Sequence, residues 1–295
     1  MKQKTFSIIG VGMMGASLGL AIKKYKAPYH VIGVGRDSKR LKKIKQLKIC
    51  DEVFIDYQKG VANADIVMIC SPVSHIVSIV EKILPFLKPQ TILTDIGSVK
   101  SQIVQSVQSL LDSSKYSHLN LSFVGSHPMA GSEKTGFEFA RADLYQQSTL
   151  VFCPTEKKQA LDILKKLWIS VGAKTLTLAP EIHDILVAQT SHLPHILSGV
   201  LAQSIDHSNQ LDKNTARLIA GSFRDMTRIS DADPEQWAAI ASMNQKFLMG
   251  ALKAYRDRLT RIVQNIGSNL NSVDEWKIFF KSSQLARQRV LQSKK

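Results

Sequence analysis

Along this chain the apolar residues fall into two regimes. Up to residue 178, short continuous runs rich in β-branched residues alternate with stretches whose apolar residues recur every three or four positions. The runs are Phe6-Ser7-Ile8-Ile9, 29–37, Asp65-Ile66-Val67-Met68-Ile69-Cys70, Thr91-Ile92-Leu93-Thr94-Asp95, Leu121-Ser122-Phe123-Val124-Gly125, 150–153 and 174–178. Continuous apolar runs of this length predict strands covered on both faces. Helical periodicity covers 38–47, capped by Asp37 or Ser38, then 76–84 and 157–170. Strands alternating with helices predict βαβ crossovers, and therefore an α/β, doubly wound, mostly parallel sheet.

From Pro180 only the helical pattern remains. Pro180 and Glu181 suit a first helical turn, and the helix is expected to run through Asp184, His192 and His195 to about residue 205, followed by helices near 213–221, 234–267 (continuous or broken) and 272–291. The segment 243–266 carries Phe247, Leu248, Ala251, Leu252, Tyr255, Leu259, Ile262 and Val263 at helical spacing. An α/β domain over 1–178 and an all-α domain over 179–295 are expected. Helices this long suggest a homodimer contact, the alternative being helices that pack only on one another.

Ligands in a doubly wound sheet bind beyond the carboxyl ends of the strands. The first strand enters Gly10-Val11-Gly12-Met13-Met14-Gly15, and an apolar helix pattern leaves it. Glycines also mark ordinary turns. Here, though, G-x-G-x-x-G stands between strand and helix, where the glycines permit a tight turn, backbone approach to a pyrophosphate, and helix–strand packing. The helix N-terminus adds N–H donors for the anion. The residues after the second strand set the cofactor. Gly35 followed by Arg36 suits the 2′-phosphate of NADP, whereas Asp37 either serves the ribose of NAD or caps the next helix; the balance favours NADP. Ser71-Pro72, Asp95-Ile96-Gly97-Ser98 and Gly125-Ser126-His127-Pro128 follow directly from strands and are expected to face the crevice, with Ser71, Pro72 and Asp95 as cofactor contacts.

Composition narrows the class. Hydrophobic residues at 44% and charged residues at 21% describe a globular chain, and no apolar run approaches the ~20 residues of a membrane span. Met1-Lys2-Gln3-Lys4 leads straight into a strand without the apolar segment of a secretory signal. Cys50, Cys70 and Cys153 are odd in number and far apart, as expected for reduced thiols in a cytoplasmic protein. The formal charge is +15, from 39 basic against 24 acidic residues. The basic residues are dispersed without interleaved aromatics, which favours a field that attracts a small anionic substrate over nucleic-acid binding.

Candidate chemistry lies in three segments. His127 follows a strand in a stretch of glycine and small polar residues, 125–136, that suits a loop wrapped around a ligand, and imidazole suits proton transfer near neutral pH. His192 and His195 share a helix face beside Pro194, which frees a carbonyl and kinks the helix; they form a pocket wall, satisfied core histidines, or zinc ligands that lack a third partner. No metal site is expected. Gly221-Ser222-Phe223-Arg224-Asp225-Met226-Thr227-Arg228 places Arg228, between a helix end and a turn, where its guanidinium forks onto a carboxylate; the alternative is that Asp225 pairs structurally with an arginine.

Taken in order, 10–15, Asp95-Ile96-Gly97-Ser98-Val99-Lys100, Ser126-His127-Pro128-Met129-Ala130-Gly131, Ser191-His192-Leu193-Pro194-His195 and Phe223-Arg224-Asp225-Met226-Thr227-Arg228-Ile229, with Asp233-Pro234 and Trp237, resemble the prephenate/arogenate dehydrogenase family of tyrosine biosynthesis over nearly the whole chain. The resemblance implies a Rossmann-type domain, a helical dimerisation domain, and NAD(P)-dependent oxidative decarboxylation of a cyclohexadienol. It implies that His127 deprotonates the ring hydroxyl, that Ser98 hydrogen-bonds this histidine and the hydroxyl, and that His195 and Arg228 hold the substrate, Arg228 through a carboxylate. Glu133 organises or gates the site, and His192 and Gly221 complete the substrate residues. A partly charged histidine pair is expected to help capture a dianion, and His127 and Arg228 to converge on it. No chorismate mutase segment or regulatory domain is expected, so any feedback by tyrosine would act at the active site. Two rivals remain: a β-hydroxyacid or imine reductase of similar layout, which would use a helix-borne lysine base, and a dinucleotide-sensing binding protein, supported only by the charge.

Overall fold

The computed structural model describes residues 3–131, 134–154, 157–266 and 272–293. It comprises two compact units, 1–248 and 249–295. In the first, β1 (Lys4–Ile9), β2 (Tyr29–Val34), β3 (Glu52–Phe54), β4 (Ile66–Ile69), β5 (Ile92–Asp95), β6 (Ser122–Pro128), β7 (Thr149–Pro154) and β8 (Lys174–Thr177) form one sheet in the order β3-β2-β1-β4-β5-β6-β7-β8. Neighbours are parallel except β6 and β7, which run antiparallel. The order reverses between β1 and β4, which opens a crevice at their carboxyl ends.

The strands alternate their side chains between two apolar layers, as a period of two requires. Ile8, Met68, Val124 and Phe152 join one cluster, while Ile9, Ile69, Phe123 and Val151 join the other. The first layer is covered by α1 (Met13–Lys24) and α2 (Ser38–Gln46), which contribute Leu18, Ile22 and Leu41. Beyond α3 (Tyr57–Val61) lie α4 (Ile76–Ile83) and α5 (Ser101–Leu111), which cover the second layer through Ile79, Ile83, Ile103 and Val107. On the first side α6 (Lys158–Ser170) adds Leu164, Leu167 and Trp168.

Two elements differ from the sequence-based expectation in ways that matter for the site. The sixth strand was expected to end at residue 125, leaving His127 on a loop. Instead the antiparallel ladder continues, pairing Ser126 with Phe152, His127 with Val151 and Pro128 with Leu150, and the Met129 N–H donates to the Thr149 carbonyl at 2.7 Å. Proline is tolerated there because it closes the strand. The expected helix from Pro180 is α7 (Pro180–Val187), a wide π-helical turn at Ala188–His192, and α8 (Leu193–Leu211). The wide turn lies just ahead of Pro194, whose ring and missing N–H prevent a regular bond to the preceding turn.

Then come α9 (Asn214–Arg217), α10 (Gly221–Thr227) and α11 (Pro234–Met243). Gly221 opens a helix rather than closing one. The expected run 234–267 breaks at Asn244, before α12 (Gln245–Asn265). In α13 (Val273–Gln292), Ser272 and Glu275 form a capping box, while Ile278, Phe280 and Val290 are exposed. The stretch 180–211 is apolar and long enough, by length and composition alone, to cross a membrane. Within the first unit it carries the buried polar residues His183, Asp184 and His192.

Candidate active site

The glycine turn is shaped by backbone contact. Gly10 has φ +89°, and a Cβ there would lie 2.7 Å from the Cys70 carbonyl oxygen. At Gly15 a Cβ would come within 2.6 Å of the Gly10 carbonyl oxygen and 2.9 Å of Ile8 Cγ2, so any side chain would push α1 off β1. At Gly12, by contrast, a Cβ would meet nothing within 4 Å. The turn is closed where helix meets strand and open where a ligand would approach. Gly12 caps α1 without a side-chain hydrogen bond, and the first turn, with half-buried Met13 and Met14, holds no acidic residue. A helix N-terminus of this kind suits a pyrophosphate.

Half-buried Ser71 and exposed Pro72 follow β4 beside this turn. Gly35 is half-buried and Arg36 exposed beyond β2. The Asp37 carboxylate accepts the Lys39 and Arg40 N–H groups at 2.8 and 3.1 Å, which makes it the cap of α2.

Asp95, expected to contact cofactor, is turned inward. Its side chain is fully buried; Oδ2 accepts the Gly97 N–H at 2.8 Å and a bond from Lys100 Nζ, and Oδ1 accepts the Ser126 N–H at 3.0 Å. The Ser126 hydroxyl donates to the Asp95 carbonyl and lies 3.1 Å from Thr94 Oγ1. Asp95 and Lys100 form a buried ion pair that ties the end of β5 to the start of α5, while the bonds to Ser126 tie it to β6. A carboxylate committed in this way is structural support for the crevice.

His127 is half-buried, and its Nδ1 lies 2.8 Å from Nε2 of His183 on α7. His183 Nδ1 is 2.7 Å from Asp184 Oδ1. Asp184 accepts the Lys100 N–H on Oδ1 and the Ser101 N–H on Oδ2, each at 2.8 Å, and so caps α5 from another element. Burial alone would raise the Asp184 carboxyl, but hydrogen bonds from His183, Ser101 and Lys100 outweigh it and hold it below the ordinary carboxylate value. Removal from water, the largest cause, together with the nearby Lys100 charge, pushes His127 well below the usual imidazole value. Such a shift favours the neutral ring, the form that proton acceptance requires.

His195 stacks on Trp237 of α11, with centroids 3.4 Å apart at 21°, and its Nδ1 lies 3.0 Å from the Ser191 carbonyl. His192 meets the same indole edge-on at 5.9 Å. It is buried, with Nδ1 3.0 Å from Asn244 Nδ2, which also donates to the Asp184 carbonyl at 3.0 Å. Burial lowers His192 to about 4 and His195 below its usual value. The expected partly charged pair is thus corrected to two neutral rings, because both are drawn out of water. Ser230 meets Ser198 at 2.7 Å, which ties the turn that begins with Arg228 to the helix that carries His195. Gly221 is exposed at the start of α10, and Ser98 is half-buried after β5. Glu133 lies outside the described residues.

The sequence assigns no role to His183 or Asn244, and it shows Lys100 only within the 95–100 motif and Asp184 only as a helix position. The adjacent His183-Asp184 pair, one turn into a helix led by Pro180, was the available signal.

Two family models cover the chain: prephenate dehydrogenase, nucleotide-binding domain, over residues 18–177, and prephenate dehydrogenase, dimerization domain, over residues 179–279. The prephenate dehydrogenase of Lactococcus lactis subsp. cremoris is 32% identical over 264 residues, spanning 89% of this chain and 71% of the relative. Among solved structures, prephenate dehydrogenase from A. aeolicus in complex with hydroxyphenyl propionate and NAD+ matches with a TM-score of 0.88 at 27% identity, over 98% of this chain and 99% of that one. Synechocystis arogenate dehydrogenase matches with a TM-score of 0.83 at 28% identity, over 97% and 99%.

Proposed function

The chain belongs to the prephenate dehydrogenase family, and we propose that it carries out the NAD(P)-dependent oxidative decarboxylation of a cyclohexadienol in tyrosine biosynthesis, converting prephenate to 4-hydroxyphenylpyruvate or arogenate to tyrosine. In this reading residues 1–178 bind the dinucleotide, and 179–295 form the helical substrate and dimerisation domain of a homodimer. One observation carries it: His127 is held by its Nδ1 at the carboxyl end of a strand, in a sheet whose first turn has the glycine geometry that suits a pyrophosphate.

The dinucleotide, when bound, supplies the hydride acceptor for the C4 hydrogen. Because Nδ1 of His127 is engaged by His183, Nε2 faces the substrate and takes the C4 hydroxyl proton as the carbonyl forms. The ring carboxylate then leaves as carbon dioxide, its electrons aromatise the ring, and the phenolate oxygen recovers the proton from His127. No net proton is consumed. Ser98 hydrogen-bonds the hydroxyl, His195 packs against the substrate from its Trp237 platform, and Arg228 binds a carboxylate. With His192 and His195 neutral, charge recognition falls to Arg228 and to the field of a +15 chain. Aromatisation drives the reaction, so the protein's work is alignment. Initial rates with prephenate and arogenate, each crossed with NAD and NADP and followed by nicotinamide absorbance, test the proposal. Turnover of neither substrate would end it.

Two variants probe binding. The Asp37 carboxylate is spent on α2, which leaves Arg36 as the group for a 2′-phosphate and favours NADP. Arg36→Ala is expected to raise KM for NADP about 10-fold or more and to leave KM for NAD nearly unchanged; equal effects on both would discard the preference. Arg228→Ala should raise the substrate KM by about 10- to 10²-fold, the equivalent of one charged hydrogen bond, with kcat little changed. A loss confined to kcat would remove Arg228 from substrate binding.

A further inference from the structure

Asp184 is the fixed point of a chain of three side chains. It is 1% exposed and hydrogen-bonded by the first two N–H groups at the α5 N-terminus, where the helix favours negative charge. An ionised carboxylate accepts hydrogen bonds and donates none, so the His183 nitrogen 2.7 Å away, Nδ1, must carry a hydrogen. Where that is the only hydrogen on the His183 ring, the other nitrogen, Nε2, is a lone pair. That lone pair lies 2.8 Å from His127 Nδ1, which must therefore be the protonated nitrogen of the His127 ring. Only one position is left for the His127 lone pair, namely Nε2. The rings meet edge to face, with centroids 5.1 Å apart at 66°, so the bond from the His127 edge enters His183 at its nitrogen.

Resting on the reading of His127 as the base, we propose that His183 and Asp184 are positioning residues that select the Nδ1–H tautomer of His127 and hold its Nε2 lone pair toward the substrate hydroxyl. Neither touches substrate. When the hydroxyl O–H bond breaks and the Nε2–H bond forms, His127 becomes an imidazolium whose Nδ1–H still points at His183. Asp184 offsets its charge through that ring. The proton stays on His127 until the phenolate oxygen takes it back, so the relay orients and stabilises without passing a proton onward. Lys100, just before α5, and His192, just before α8, are further titratable groups near these rings, and the Lys100 charge acts against a second proton on His127.

His183→Leu and His183→Gln in the full chain separate this role from packing. Leucine cannot accept from His127, whereas the glutamine carbonyl oxygen can. His183→Leu should lower kcat about 10²-fold or more while both KM values stay within about threefold, and His183→Gln should recover at least about 10-fold of that loss. Nitrogen-15 spectra of the wild-type histidines provide a test that needs no variant, and the expected result is a His127 protonated at Nδ1. A His127 protonated at Nε2, a His183→Leu enzyme with near wild-type kcat, or a glutamine variant no better than leucine would each overturn the relay. A wild-type enzyme that turns over neither cyclohexadienol would sink the proposed function instead, and the spectra would still decide the tautomer.

Discussion

His127→Asn is expected to lower kcat by about 10²–10⁴-fold, the range lost when a positioned general base is removed, with only a modest change in substrate KM. Asparagine keeps a polar group at the end of β6 but cannot take a proton, and the groups proposed to bind the substrate, Arg228 and His195, lie on other elements. The pH profile adds an independent check. A base works in its neutral form, and burial, with the nearby Lys100 charge, holds His127 well below its ordinary value. The acid limb of kcat/KM in the wild-type enzyme should therefore lie below the ordinary imidazole pKa of about 6.5, with a plateau through neutrality. In the variant that limb should be missing from the residual rate. Wild-type turnover in His127→Asn, or an acid limb above neutral pH, would take the base role from this residue.

Asp95→Ala is expected to produce the largest loss of stability. The change leaves Lys100 charged, fully buried and without its counter-ion, and it removes the acceptor for the Gly97 and Ser126 N–H groups. Breaking a buried pair from one side costs about 3–5 kcal/mol. In a chain of this size that lowers Tm on the order of 10 °C, measured by thermal unfolding without cofactor. Apolar replacement of both partners is often neutral, so Asp95→Leu combined with Lys100→Met should recover much of the loss. A wild-type Tm in Asp95→Ala would mean that the pair contributes no net stability.

The sheet was legible wherever a strand is buried on both faces, because such strands must be continuously apolar; β1, β4 and β5 are examples. It was not legible in β3, where Glu52–Phe54 has only half-buried apolar residues beside an exposed glutamate. Nor was it legible at the end of β6, where Ser126 and His127 interrupt the apolar run and the strand exists because β7 pairs with it. The glycine turn could be read because its function constrains local backbone. Asp37 could not be assigned, since the same carboxylate serves a ribose or a helix cap and only its two N–H partners decide. The relay behind His127 was hidden for a different reason. His183 lies 56 positions from His127 and Asp184 lies 84 from Lys100, and nothing in the local pattern encodes such partners. The charge of the His192–His195 pair was misjudged because a sequence displays ionisable groups without the solvent they lose on folding.

The single antiparallel step in the sheet has a bearing on how substrate preference can change. By continuing its ladder to Pro128, β7 makes the backbone under His127 part of a rigid framework, not a hinge. In the proposed reading the proton acceptor thus occupies a fixed address, to which a cyclohexadienol brings its hydroxyl. On that proposal, discrimination between a keto and an amino side chain is left to the periphery, to helix ends and turns such as those around Gly221 and Arg228.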